Sequence, residues 1–304
     1  MKIIGIFLGI VAIALFIIPS RDKLSKKKRL IYYLCGGTMA AFGGLFIHIY
    51  NDNDIWEKIR SEEYGVYIGA NPEDLLEKDL PKTIVIDAQY YTSKEISKLK
   101  EDGHIVYTYL NLGSIESFRD YYNDYEDITL GAYENWDDEQ WVDVSQAKWQ
   151  DFVLEMADDL LDKGVDGFFI DNCDVYYNYP TDEIFDGVSA ILRKLNGRDT
   201  YVLINGGDYF VNEYYNRYNS LDAILDGVNQ ETVYTAIDWQ NDKFTVNEED
   251  ERDYFLSYLE LVMDDGKDVY ALEYTNDEDI KKQAIKLANS YGYHIYVSDS
   301  LELD

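Results

Sequence analysis

Gly164-Val165-Asp166-Gly167-Phe168-Phe169-Ile170-Asp171-Asn172-Cys173-Asp174 runs from an apolar core straight into a cluster of carboxylates and an amide. Phe168, Phe169 and Ile170 show no polar alternation, the pattern of a strand buried on both faces in a parallel sheet covered by helices. Acidic groups at the C-terminal end of such a strand stand where barrel enzymes carry their chemistry. Asp171 is therefore the first candidate for catalysis.

Outward from this strand the chain alternates short β-rich runs with helical patterns. The runs are 64–69, 83–90, 105–114, 165–173, 201–206, 223–228, 269–274 and 293–298. Helical segments are read at 93–100, 148–163, 181–195, 250–263 and 277–290, most of them closing at a glycine such as Gly164, Gly197 or Gly292. Eight strands with intervening helices predict an α/β fold, a (β/α)₈ TIM barrel over 64–304. One long excursion, 115–147, interrupts the alternation after the third strand. It is crowded with Tyr121, Tyr122, Tyr125, Tyr133, Trp136 and Trp141, rings suited either to stacking on sugars or to packing an irregular loop.

Ahead of the barrel lie two apolar runs, 3–18 and 30–50, the second long enough to cross a bilayer and flanked by Tyr32, Tyr33 and Tyr50. Between them, 21–29 holds six bases and one acid, which by the positive-inside rule is cytoplasmic. A two-helix transmembrane hairpin over 1–50, a polar tether over 51–63 and an extracellular barrel follow. A cleavable signal peptide fits less well, because no small-x-small site follows the first run.

The formal charge is −32, and it is concentrated: residues 51–304 hold 20 Lys and Arg against 58 Asp and Glu, a net of −38. Such a field repels nucleic acid and phosphorylated substrates and gathers cations. It suits solubility in a salty exterior or a polycationic ligand. Three histidines cannot build the clusters of catalytic zinc, and no glycine-rich phosphate loop followed by Lys is present, so neither metal nor cofactor is expected. The acidic stretches 238–251 and 52–63 lack the loop spacing of a calcium site.

The expected strand ends present Asp87, Asn111, Asp171, Asn172, Asp174, Asn205, Asn229, Gln230, Glu231, Glu273 and Asp299. Carboxylates and aromatics without strategically placed cations suit an oxocarbenium-like transition state, which needs one anion near the anomeric carbon and one protonated acid near the leaving oxygen. That is glycosidase chemistry. Any single Asp at a strand end is also a candidate helix cap.

The ordered set Tyr109-Leu110-Asn111-Leu112-Gly113-Ser114-Ile115-Glu116, Trp141-Val142-Asp143-Val144, Gly167 to Asp174 as quoted, and Asn229-Gln230-Glu231 resembles glycoside hydrolase family 114, the endo-α-1,4-polygalactosaminidases. The resemblance extends over most of 64–299. It implies a barrel that cleaves partly deacetylated, cationic galactosamine polymers, with Asp171 and Glu231 as the catalytic pair, Asp171 as nucleophile or charge stabiliser and Glu231 as general acid/base. Expected substrate contacts are Asp87, Tyr109, Asn111, Asp143, Asn172, Asp174, Asn205, Glu273 and Asp299. Two alternatives remain open: a non-catalytic polysaccharide-binding barrel at the cell surface, and a glycosidase acting on a neutral glycan. The separation of the two carboxyls decides between retention and inversion, with retention the expectation.

Overall fold

Runs rich in Val, Ile and Tyr, set between capped amphipathic segments, fold as the strands and helices of the barrel. In the structure, a computed structural model that describes residues 63–134 and 136–304, the strands are β1 (Tyr64–Tyr67), β2 (Thr83–Ile86), β3 (Ile105–Asn111), β4 (Ser114–Glu116), β5 (Thr129–Ala132), β6 (Glu139–Val142), β7 (Gly167–Asp171), β8 (Tyr201–Asn205), β9 (Gly227–Glu231), β10 (Thr235–Asp238), β11 (Lys243–Val246), β12 (Asp268–Tyr274) and β13 (His294–Ser298). The helices are α1 (Pro72–Leu75), α2 (Ser93–Glu101), α3 (Tyr122–Tyr125), α4 (Ala147–Asp162), α5 (Val175–Asn178), α6 (Asp182–Asn196), α7 (Asp208–Tyr218), α8 (Glu249–Asp264) and α9 (Glu278–Tyr291). The two apolar runs expected to cross a membrane and all but the last residue of the tether lie outside the described residues. Among the described residues no helix is long and apolar enough to span a bilayer.

Eight strands form one parallel sheet in the order β1-β2-β3-β7-β8-β9-β12-β13. Its first and last strands lie against each other, so the sheet curls into a nearly closed barrel. At the seam the rings of Tyr67 and Tyr296 meet at 5.4 Å, and the Gly69 amide donates to the Leu303 carbonyl at 3.1 Å. Gly69 has to be glycine: a Cβ there would sit 1.9 Å from the Glu302 carbonyl oxygen.

Alternation along each strand sorts the side chains into two layers. Outward residues such as Ile84, Val106, Phe168, Ile170, Val202 and Val228 pack under the helices in the larger core. Inward residues, Tyr64, Val66, Val85, Tyr107, Tyr109, Phe169, Leu203, Tyr270, Leu272 and Tyr274, fill the lumen. The lumen is largely a stack of tyrosine rings, with Tyr64 edge-on to Tyr270 at 4.7 Å and Tyr107 stacked on Tyr201 at 4.9 Å. Helix starts follow local chemistry: Thr92 and Glu95 form a capping box on α2, Thr181 caps α6 and Asp277 caps α9.

Three features depart from the sequence reading. The sixth barrel strand is Gly227–Glu231, not 223–228, because Leu221, Ile224 and Leu225 are buried in the turn that enters it and leave the polar Asn229, Gln230 and Glu231 within the strand. The excursion 115–147 is not irregular: β4, β6 and β5 make an antiparallel sheet over one side of the barrel mouth. A second hairpin, β10–β11, occupies part of the acidic stretch after β9, and α7 is a helix the sequence reading left out.

Candidate active site

Two residues beyond the last lumen-filling side chain, the inward parity that carries apolar rings lower in the barrel carries polar groups at its C-terminal rim. Val85 is followed by Asp87, Tyr109 by Asn111, Phe169 by Asp171 and Leu203 by Asn205, while β9 turns both Asn229 and Glu231 inward. These groups converge on a cleft of about 830 Å³. Ten Asp and Glu residues line it against one cation, Arg119.

Asp171 and Glu231 meet through one amide. Asn205 Nδ2 donates to Asp171 Oδ1 at 3.0 Å and to Glu231 Oε1 at 2.7 Å. Both amide hydrogens are committed, and because the two carboxylate oxygens accept from one nitrogen they lie within about 6 Å of each other. The Tyr274 hydroxyl donates to Glu231 Oε2 at 2.7 Å, and burial, with the neighbouring charge of Glu231, keeps that phenol protonated. Burial also pushes the Asp171 carboxyl up to about 8; the Asn205 hydrogen bond opposes the rise, and the charges of Glu231, Glu139 and Asp174 add to it. Asp174 rises to about 7 by burial and the nearby Asp208 charge. A site with its carboxylates so crowded holds protons at neutral pH.

Behind Asp171 a second network ties the β4–β6 sheet to the barrel. Asn172, held in left-handed backbone with φ 64°, donates from Nδ2 to Asn111 Oδ1 at 3.1 Å, Ser114 Oγ at 2.7 Å and Glu139 Oε1 at 3.0 Å. Ser114 also donates to Glu139. A Cβ at Gly113 would lie 1.9 Å from the Asn172 carbonyl oxygen, so only glycine lets the two segments touch. Burial raises the Glu139 carboxyl as well. At one end of the cleft Arg119 is paired with Asp87 at 3.0 Å and Glu116 at 3.1 Å, and Tyr109 donates to Glu116 at 3.3 Å. Overhead, Trp136 beyond β5 and Trp239 beyond β10 touch edge to face at 6.3 Å, both half-exposed.

Of the residues expected to contact substrate, Asp87, Tyr109, Asn172, Asp174 and Asn205 line the cleft beside Asp171 and Glu231, while Asn111 sits one layer below in the Asn172 network. Three stand elsewhere. Glu273 follows the outward parity of β12 and is buried under the β9–β10 turn, accepting from the Tyr234 and Thr235 amides at 2.8 Å each. Asp143 caps the turn into α4 through Ser145 and Gln146. Asp299 is exposed beyond β13, outside the cleft.

Glu139, Arg119, Trp239 and Tyr274 enter the site without having been expected there. Tyr274 lies two residues beyond Leu272 in the inward alternation, but both faces of β12 are buried, so its sequence does not say which parity meets the lumen. Glu139 and Arg119 carry no local signal, because their places depend on the long-range pairing of β4 with β6. The acids at strand starts do other work: Asp166 and Asp226 accept from the Val106 and Val202 amides, both at 2.9 Å, and stabilise the opposite face.

A parallel barrel with two rim carboxylates joined through one amide in an aromatic cleft defines a glycosidase-type site. The chain belongs to the Glycoside-hydrolase family GH114, whose family model matches residues 51–304, and it is a glycosidase. Among solved structures it is similar to the glycoside hydrolase domain of PelA from Pseudomonas aeruginosa, with TM-score 0.66 and 19% identity over 80% of this chain and 95% of that one. It is similar also to Ega3 of Aspergillus fumigatus in complex with galactosamine, with TM-score 0.62 and 17% identity over 80% and 93%. The α-galactosidase TtGalA of Thermus thermophilus shares the fold at TM-score 0.51 and 11% identity, over 78% and 57%. No curated protein sequence gives a significant match.

Proposed function

We propose that this chain is a retaining endo-glycosidase that cleaves α-1,4-linked, partly deacetylated galactosamine polymer outside the cell. The observation that carries this reading is the charge balance of the cleft: ten carboxylates against one guanidinium already engaged by Asp87 and Glu116. Such a cleft repels anionic glycans and attracts ammonium groups. The similarity to a structure holding galactosamine supports the same substrate class. The runs 3–18 and 30–50 anchor the barrel to the membrane.

Asp171 attacks the anomeric carbon while Glu231 gives a proton to the departing oxygen. Glu231 then takes a proton from water, whose oxygen displaces Asp171 and restores the original configuration. Carboxyl oxygens that share one amide nitrogen stand at the short separation that suits direct attack, rather than at the wider one that admits a water between carboxylate and sugar. In the empty cleft burial favours protonated Asp171; an ammonium entering beside it favours the anion and so readies the nucleophile.

Proton NMR of the products tests this. The protein incubated with deacetylated α-1,4-galactosamine polymer is expected to release fragments whose reducing ends appear first as the α anomer. β anomers appearing first would refute retention. Cleavage of fully acetylated or neutral glycans, with the cationic polymer left intact, would refute the substrate class. Tight binding with no fragments would mark the protein as a binding barrel.

A further inference from the structure

The carboxylate pair does not orient Asn205 alone. An amide side chain presents a donor at one end and an acceptor at the other, so a row of buried amides has a direction, and something must set it. Asn205 Oδ1 accepts from Asn229 Nδ2 at 2.6 Å, and Asn229 Oδ1 accepts from the Tyr64 hydroxyl at 3.0 Å. Asn205 and Asn229 are register partners on β8 and β9, whereas Tyr64 reaches them across the lumen from β1. Tyr64 and Asn229 are fully buried, and the Tyr64 ring is fixed edge-on against Tyr270.

We infer that Tyr64 is a positioning residue for catalysis: its hydroxyl donates to Asn229 and thereby fixes the direction of the amide row, so that Asn205 presents both hydrogens to Asp171 and Glu231. The inference rests on the roles proposed above for those two carboxylates. In the reversed row Tyr64 would accept from Asn229 Nδ2 and its own buried hydrogen would lose its acceptor, whereas with the hydroxyl removed that cost is gone, Asn229 Oδ1 has no donor, and the reversed row becomes competitive. In that row the Asn205 carbonyl faces the carboxylates. A carbonyl there accepts from a protonated carboxyl and repels an anion, so the reversed row masks the nucleophile.

Tyr64→Phe keeps the ring and its packing. It is expected to lower kcat about 10- to 100-fold with KM little changed, the size seen when an outer partner of a reacting group is lost. The acid limb of the pH profile should move to higher pH, because Asp171 loses the bond that favours its anion. Other groups bear on Asp171 from Tyr109 on β3, Tyr133 and Glu139 of the β4–β6 sheet, Cys173 and Asp174 just after β7, and Tyr274 on β12. Glu231 on β9, which shares the Asn205 amide, faces Asp171 as well, and of these groups Glu231 and Tyr274 also feel the Tyr64 hydroxyl. Asn229→Asp, which replaces the donor with an acceptor at constant shape, is expected to shift the limb further in the same direction.

The decisive readout is the ¹³C carboxyl titration of Asp171 in the free protein, beside the melting temperature. It needs no substrate, so it stands even if wild-type protein cleaves no galactosamine polymer and the proposed function fails. A titration midpoint raised in both variants, with the fold intact by melting, supports the positioning role. An unchanged midpoint in folded Tyr64→Phe protein, or a loss of activity that follows melting temperature alone, would overturn it.

Discussion

Asp171 pairs function with instability. Its carboxyl is raised to about 8 by burial, so at neutral pH the folded state keeps a proton that the unfolded chain gives up, and at higher pH it bears a buried charge, the form the proposed nucleophile needs; both penalise folding. Replacing it with a neutral side chain of the same shape removes the penalty. Asp171→Asn is expected to abolish turnover while raising the melting temperature at pH 8 above that of wild type. Calorimetry at pH 8 checks this, and an equal or lower melting temperature would show that Asp171 is not held against its ionisation. Asp171 itself was legible because an apolar run leads directly into it. Glu231 was legible only in part: its strand was read three to four residues early, since the buried Ile224-Leu225 pair mimics a strand core. Glu273 was misread for the converse reason, as its strand was found but the sequence did not say which parity faced the lumen.

Two added pieces of antiparallel sheet shape the cleft above the rim. The β4–β6 sheet is tied down by Asn172, Ser114 and Glu139, and the β10–β11 hairpin by Phe244 stacked on Tyr274 at 5.9 Å. Their tips meet through Trp136 and Trp239, indoles that expose nearly half their surface over the cleft holding Asp171 and Glu231. Half-exposed rings contribute little to the core and much to a ligand that lies on them. Trp239→Ala is expected to raise KM for polymer about 3- to 10-fold, the worth of one aromatic contact, while kcat and melting temperature hardly change. A large fall in melting temperature would show instead that the indole is structural. The aromatic content of 115–147 was visible in the sequence, yet its pairing was not: β4 and β6 are joined by a segment with two turns of helix and a third strand. Helix α7 was missed because Asp208–Tyr218 is built from Tyr, Asn and Phe, weak helix formers, although Phe210, Val211 and Tyr214 form its buried stripe.

For the molecule as a whole, charge governs both rate and stability. With a formal charge of −32 and an acidic cleft, encounter with a polycation is steered over distances that salt shortens, the screening length being about 10 Å at 0.1 M. kcat/KM on a cationic polymer is expected to fall several-fold as ionic strength rises from about 0.05 to 0.5 M, and a flat profile would remove steering from the account. Stability should depend on pH in the sense opposite to most acidic proteins. Asp171, Asp174 and Glu273 have folded values raised to about 8, 7 and 7, chiefly by burial. A raised carboxyl contributes stability in full below its ordinary value of about 4 and loses that contribution as pH climbs through the raised value. The melting temperature is therefore expected to decline between about pH 5 and pH 8. A rise over that window would mean that burial does not hold these three carboxyls against ionisation, because carboxylates held low, such as Asp143 and Asp158, change their contribution only below about pH 4.

The eight barrel strands, most of the long helices, the acidic field and the family pattern followed from the chain alone, because hydrophobic period, capping residues and composition are local properties. Which side chains share the cleft did not. Inward or outward parity at each rim position, the pairing of β4 with β6 and the reach of Tyr64 across the lumen depend on how a twisted sheet closes on itself. Closure is set by the packing of all eight strands together, and no single stretch of sequence contains it.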